Sequence, residues 1–113
     1  MLPTHIQIHT RSNTLEVHFE DGTQGTLSAE FLRVHSPSAE VQGHGRPVLQ
    51  TGKRQVKLTG AEPVGHYAIK LIFSDGHDSG LYRWELLHEF LHQYDTLWAR
   101  YLADLEAAGA GRD

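Results

Sequence analysis

Polar and apolar positions alternate at His5-Ile6-Gln7-Ile8-His9 and again at Leu15-Glu16-Val17-His18-Phe19, the period of two that marks a half-buried strand. Glu20-Asp21-Gly22-Thr23 follows, and because Asp and Gly tolerate positive φ it predicts a hairpin into a short return strand over residues 24–27. Ser28 is placed to cap a short helix that carries Phe31 and Leu32 inward, with Glu30 near its positive end. Gln55-Val56-Lys57-Leu58 alternates once more, and residues 67–73, the most apolar segment, read as a central strand entered at Gly65. A second turn over residues 74–80 leads to a last strand, Leu81-Tyr82-Arg83-Trp84. Then the period changes. Leu87, Phe90, Leu91, Tyr94, Trp98, Tyr101, Leu102 and Leu105 fall on one helical stripe, predicting a helix from about residue 84 to 108 with a frayed tail beyond it. The assembly that buries these faces is α+β: a small, mostly antiparallel β-sheet with a short helix and a long C-terminal helix packed on one face.

Residues 36–52 fit neither period. Pro37, Pro47, Gly43, Gly45 and Gly52 make this a long loop, and loops of such length in small domains are commonly functional. The 113 residues are enough for one core and one domain spanning residues 1–113. No cysteine is present, which removes disulfides, thiolate nucleophiles and cysteine-ligated metals. The N-terminal residues carry no basic and apolar signal pattern, no apolar run approaches bilayer length, and a cytoplasmic protein is expected. A net charge of −4 argues against nucleic acid and membrane surfaces as partners. That charge is unevenly spread: residues 33–57 hold five basic side chains against Glu40, and residues 84–108 hold Arg100 against five acidic ones.

Three groupings bear on chemistry. His88-Glu89-Phe90-Leu91-His92 is an H-E-x-x-H, in which two imidazoles one helical turn apart hold zinc and the glutamate acts as general base; this is the alternative reading, a small zinc hydrolase. A third ligand has to come from another element, and no metzincin-type histidine follows. Asp75, His77 and Asp78 crowd the second turn, joined by His44 from the loop, in a set able to bind a divalent metal or simply to close a turn. Ser36 and Ser38 stand beside His35 without a nucleophile elbow, and Gly43-His44-Gly45 lacks the rest of a phosphate loop, so neither serine hydrolysis nor nucleotide binding is expected.

The stretch Leu32-Arg33-Val34-His35-Ser36-Pro37-Ser38-Ala39-Glu40-Val41-Gln42-Gly43-His44-Gly45 resembles a signature of the gamma-butyrobetaine hydroxylase-like N-terminal domain family. So do Val64-Gly65-His66-Tyr67-Ala68 and the stretch from Phe73 through Trp84. The resemblance implies a small stand-alone bacterial member, or a domain that elsewhere precedes iron- and 2-oxoglutarate-dependent hydroxylases or accompanies iron–sulfur carrier ATPases. It implies an accessory module, not a catalyst. In the hydroxylases three cysteines and one histidine hold a structural zinc, at positions matching Ser36, Ser38, Val41 and His77 here, so three of the four ligands differ. The expectation is a non-catalytic binding module with a protein partner, an iron–sulfur assembly factor or a metalloenzyme. Its polar, exposed surface would be formed by Arg33, Ser36, Glu40, His44, Asp75, His77 and Asp78. A divalent metal, zinc or iron, on His44 and His77 is the one cofactor this reading admits.

Overall fold

The structure is a computed structural model and describes residues 2–43 and 45–113. Strands β1 (Pro3–His9), β2 (Thr14–Phe19) and β3 (Gln24–Ser28) form one antiparallel sheet in that order. Helix α1 (Ala29–Val34) follows directly, capped by the Ser28 side chain on the Phe31 amide. A single helical turn, α2 (Ala39–Gln42), lies inside the long loop. Strands β4 (Leu58–Val64), β5 (Ala68–Phe73) and β6 (Leu81–Arg83) make a second antiparallel sheet, and α3 (Trp84–Ala107) ends the chain.

The α+β class and the antiparallel pairing match expectation, but the strands divide into two sheets of three. The alternating run at residues 55–58 is not itself a strand: Val56 folds back on Lys53 through a backbone hydrogen bond, and pairing with β5 begins at Leu58. Val56 and Leu58 still point inward, so the alternation reported burial correctly while the backbone turned.

One core serves both sheets. Leu15, Val17, Phe19 and Leu27 from the first meet Leu58, Ile69, Leu71, Phe73 and Tyr82 from the second, closed by Phe31 and Leu32 of α1 and by Trp84, Leu87 and Phe90 of α3. Phe31 stacks on Tyr94 at 4.6 Å and meets Phe90 edge-on at 5.2 Å, which fixes how α1 lies across α3. Further along α3 a satellite cluster of Val34, Tyr101 and Leu105 packs under Trp98 and Ala110.

Two polar devices lock this arrangement. Asn13, in the β1–β2 turn at φ +57°, donates to the Val56 carbonyl and accepts from the Leu58 amide, both at 2.9 Å. Its own carbonyl takes the Ala29 amide, so one residue joins the first hairpin to the entry of β4 and the start of α1. The second device is Glu30, buried at 5% exposure. Arg112 grips it with two nitrogens, at 2.9 and 2.7 Å, and Tyr101 donates at 2.8 Å. Burial pulls the Glu30 carboxyl upward, but Arg112 and Tyr101 outweigh it and hold the group below its usual range. The tail expected to fray from residue 108 is therefore anchored. Gly111 and Arg112 also accept backbone hydrogen bonds from Gly52 and Arg54, because ending the helix returns the chain to a buried charge. Among the described residues no helix is long and apolar enough to cross a membrane.

Asn13→Ala removes two hydrogen bonds and places a Cβ residue without a local partner at positive φ. We expect a loss of about 2–3 kcal/mol, with Asn13→Gly recovering only the backbone share. Urea denaturation of the three proteins checks this, and equal stabilities for the alanine and glycine variants would leave the strain component without support.

Candidate functional site

The long loop and the second turn do converge. Arg33, on the last turn of α1, donates from Nε to Asp75 at 2.9 Å and from its terminal nitrogen to Gln50 at 3.0 Å. Lys53 meets the same Asp75 oxygen at 3.1 Å. Burial pushes the Asp75 carboxyl up, but Lys53, the His77 amide and Arg33 more than offset it and keep the carboxyl low. Deeper in, Ser36 Oγ lies 2.8 Å and Ser38 Oγ 3.4 Å from His77 Nε2, and Glu40 Oε2 lies 3.5 Å from His77 Nδ1. Glu40 also accepts from Ser79 at 3.1 Å.

The exposure expected of this set is corrected at three residues: Ser36 is fully buried, His77 is 6% exposed and Arg33 7%, whereas Glu40, Asp75 and Asp78 are exposed as expected. These polar side chains satisfy one another inside the fold, as burial requires. They form a clasp between loop and turn, with only its outer rim on the surface. His44 lies outside the described residues, so its expected pairing with His77 does too.

The order Ser36–His77–Glu40 has the sequence of contacts of a hydrolytic triad, but Ser36 is fully buried. A Cβ built on Gly80 would stand 2.5 Å from Ser36 Oγ, so the Gly80 backbone packs directly against a hydroxyl that has no solvent-open face. Zinc of the type implied by the resemblance does not fit either. Ser36, Ser38 and His77 do gather, but two alcohols and, at position 41, a buried isopropyl group replace three thiolates. Hydrogen bonds to one imidazole occupy that position instead.

Buried His77 and half-buried His35 both have lowered pKa values. Desolvation is the main cause at His77, with Arg33 adding to it; desolvation is also the main cause at His35, with a smaller push from Arg100.

The H-E-x-x-H of α3 has another task. His88 Nε2 donates to Asp21 Oδ2 at 2.8 Å, and His92 Nε2 lies 3.1 Å from Thr23 Oγ1, with the two rings 4.7 Å apart. The pair fastens the β2–β3 turn to the helix. The Thr23 amide and His88 together hold the Asp21 carboxyl down at about 2. Glu89 lies apart from them and lines a groove on another side of α3. Among the described residues no three histidine, aspartate or glutamate side chains surround a common centre as a bound cation would need.

That groove is the feature sequence reasoning missed. It encloses about 590 Å³ between the segment holding Val41, Pro47, Val48 and Leu49 and the face of α3 holding Leu86, Phe90 and Leu97. Val48 is 54% exposed and Leu49 37%, two adjacent apolar side chains open to solvent at the groove. Gly43 makes the loop's return possible: at φ +63° it passes so near Arg46 that a Cβ would stand 2.5 Å from the Arg46 carbonyl. Val48 then donates its amide to Val41 at 2.7 Å.

The profile of the gamma-butyrobetaine hydroxylase-like, N-terminal family matches residues 6–88, and the chain belongs to that family. A protein solved by NMR in solution is 57% identical, with a TM-score of 0.89 over 99% of this chain and 90% of that one. A second NMR solution structure is 50% identical, with a TM-score of 0.85 over 98% and 84% of the two chains. A protein of unknown function from Acidithiobacillus ferrooxidans ATCC 23270, of the DUF971 family, has a crystal structure that matches at 38% identity and TM-score 0.68, over 79% of this chain and 91% of that one. Among curated proteins none matches the chain.

His77 and His35 fix an acid sensitivity. A folded pKa below the unfolded value contributes stability that is complete above about pH 6.5 and is lost as pH falls through the folded value. Each histidine contributes a slope of at most about 1.4 kcal/mol per pH unit. We expect stability to fall below pH 6.5, and His77→Gln to be less stable at pH 7.5 yet to lose less on acidification. Urea midpoints between pH 7.5 and 5 measure this, and an unchanged slope in the variant would contradict the assignment.

Proposed function

We propose that the protein is a non-catalytic binding module of the cytoplasm, and that its groove between the loop and α3 receives an apolar segment of a partner protein. The observation that carries this reading is the exposed pair Val48 and Leu49 facing Phe90 and Leu97 across the groove. Glu89 and Asp104 stand along the α3 side with Arg100 between them, so the fitting segment carries apolar anchors and a basic residue. The loop-and-turn residues support this surface from beneath. Arg33, Ser36, Asp75 and His77 hold the loop in place, while Glu40 and Asp78 remain on the exterior. The partner class this reading takes, suggested by the family resemblance, is a metalloenzyme or an iron–sulfur assembly factor.

A photo-crosslinking residue at position 48 tests the proposal in cells. The expected result is a discrete crosslinked partner whose yield falls about tenfold when Leu97→Glu is added, with the fold intact by NMR. Crosslinking that ignores Leu97→Glu, or no crosslink at all, would overturn it.

A further inference from the structure

Four metal-ligating side chains meet on the outer face of the first sheet, away from the groove and the clasp. In the β1–β2 ladder His5 pairs with His18, Gln7 with Glu16 and His9 with Thr14, so all six share one face. Glu16 occupies the centre of the set: His9 Nε2 donates to Oε1 at 2.6 Å, His18 Nε2 to Oε2 at 2.5 Å, and His5 Nε2 stands 3.7 Å from Oε2. The His5 and His18 rings meet edge-on at 5.1 Å. Nothing in the packing requires this. The opposite face, with Leu15 and Val17, is the one buried in the core.

We propose that this face binds one divalent transition-metal ion through His5, His9, His18 and Glu16. Imidazole nitrogen and carboxylate oxygen are the donors that zinc, copper and nickel take, and a paired ladder presents them with little backbone freedom left to lose. Three imidazole nitrogens already converge on this one carboxylate, at 2.5, 2.6 and 3.7 Å, so modest rotations of exposed side chains separate the present contacts from a shared ion. As folded, the carboxylate stands between the imidazoles, so no three donors yet surround a common centre. Binding moves the ring proton of His9 and of His18 from Nε2 to Nδ1, and the freed Nε2 lone pairs turn from the carboxylate to the cation. The side chains have room to do this, at 46%, 36% and 34% exposure for His5, His9 and His18, and 27% for Glu16. Four protein donors fill a tetrahedral shell, so the ion would be held or handed on, with no open position for activating water.

Isothermal titration of untagged protein with Zn²⁺ at pH 7.5 in excess Mg²⁺, followed in parallel by amide NMR, tests the site. The expected result is one saturable site at micromolar zinc, with shifts centred on β1 and β2. His9→Ala and His18→Ala should each weaken it about tenfold or more, and Glu16→Gln should weaken it while keeping the fold. His88→Ala and His92→Ala should leave it unchanged. No saturable site, weak binding insensitive to His9→Ala and His18→Ala, or loss only with His88→Ala or His92→Ala would each overturn the proposal.

Discussion

The hydrogen bond between Ser36 and His77, sealed beneath Gly80, is the contact on which the loop and its groove depend. It joins the end of α1 to a turn forty-one residues away and is shielded from water, so neither partner is free to exchange it for solvent. Because the loop leaves α1 at that point, fixing Ser36 fixes where the loop can travel. Arg33 and Asp75 hold the neighbouring strand turn, Gln42 donates to the Ser36 carbonyl, and the loop returns past α3 with Val48 and Leu49 outward. The groove is thus a consequence of a polar contact on the other side of the loop.

This division of labour accounts for a set of residues that resembles a catalytic or metal centre. Serine, histidine and two carboxylates are gathered tightly, yet the serine is walled in and the histidine nitrogens already have protein partners. Here two hydroxyls and an imidazole cross-link the loop to the turn. The H-E-x-x-H pair on α3 acts alike, fastening the β2–β3 turn through Asp21 and Thr23. Histidine in these two places serves chiefly as a structural hydrogen-bonding group, which leaves the open sheet face around Glu16 as the place where several imidazoles meet beside solvent.

Much of the fold was readable because burial leaves a period in the chain. The α3 stripe, the Asp-Gly turn and the Ser28 cap all appear where the residues predict them. The division into two sheets was not readable, since alternation reports which side is buried and not which strand pairs with which. Val56 shows the limit: it is inward and apolar, but sits in a turn. The convergence of Arg33, Ser36, Glu40, Asp75 and His77 was expected from the sequence, whereas the burial of Arg33, Ser36 and His77 was not, because polar residue types suggest exposure until their partners are known. The groove had no signal in the sequence. Its walls come from residues about fifty positions apart: the α3 wall recurs at helical spacing, but the loop wall has no period, and nothing in the chain pairs the two.

Amide hydrogen exchange across residues 38–50, compared between the wild type and Ser36→Ala, tests most directly whether the clasp holds the groove's loop in place. The account predicts that exchange at Val41, Gln42, Gly43 and Val48, whose amides are hydrogen-bonded within the loop, rises about tenfold or more in the variant. Protection in β2, β5 and the first turns of α3 should stay close to wild type. Unchanged protection at those four amides, or a uniform rise across the whole chain, would contradict it: the first would mean the loop is held by other contacts, the second that Ser36 serves global stability alone.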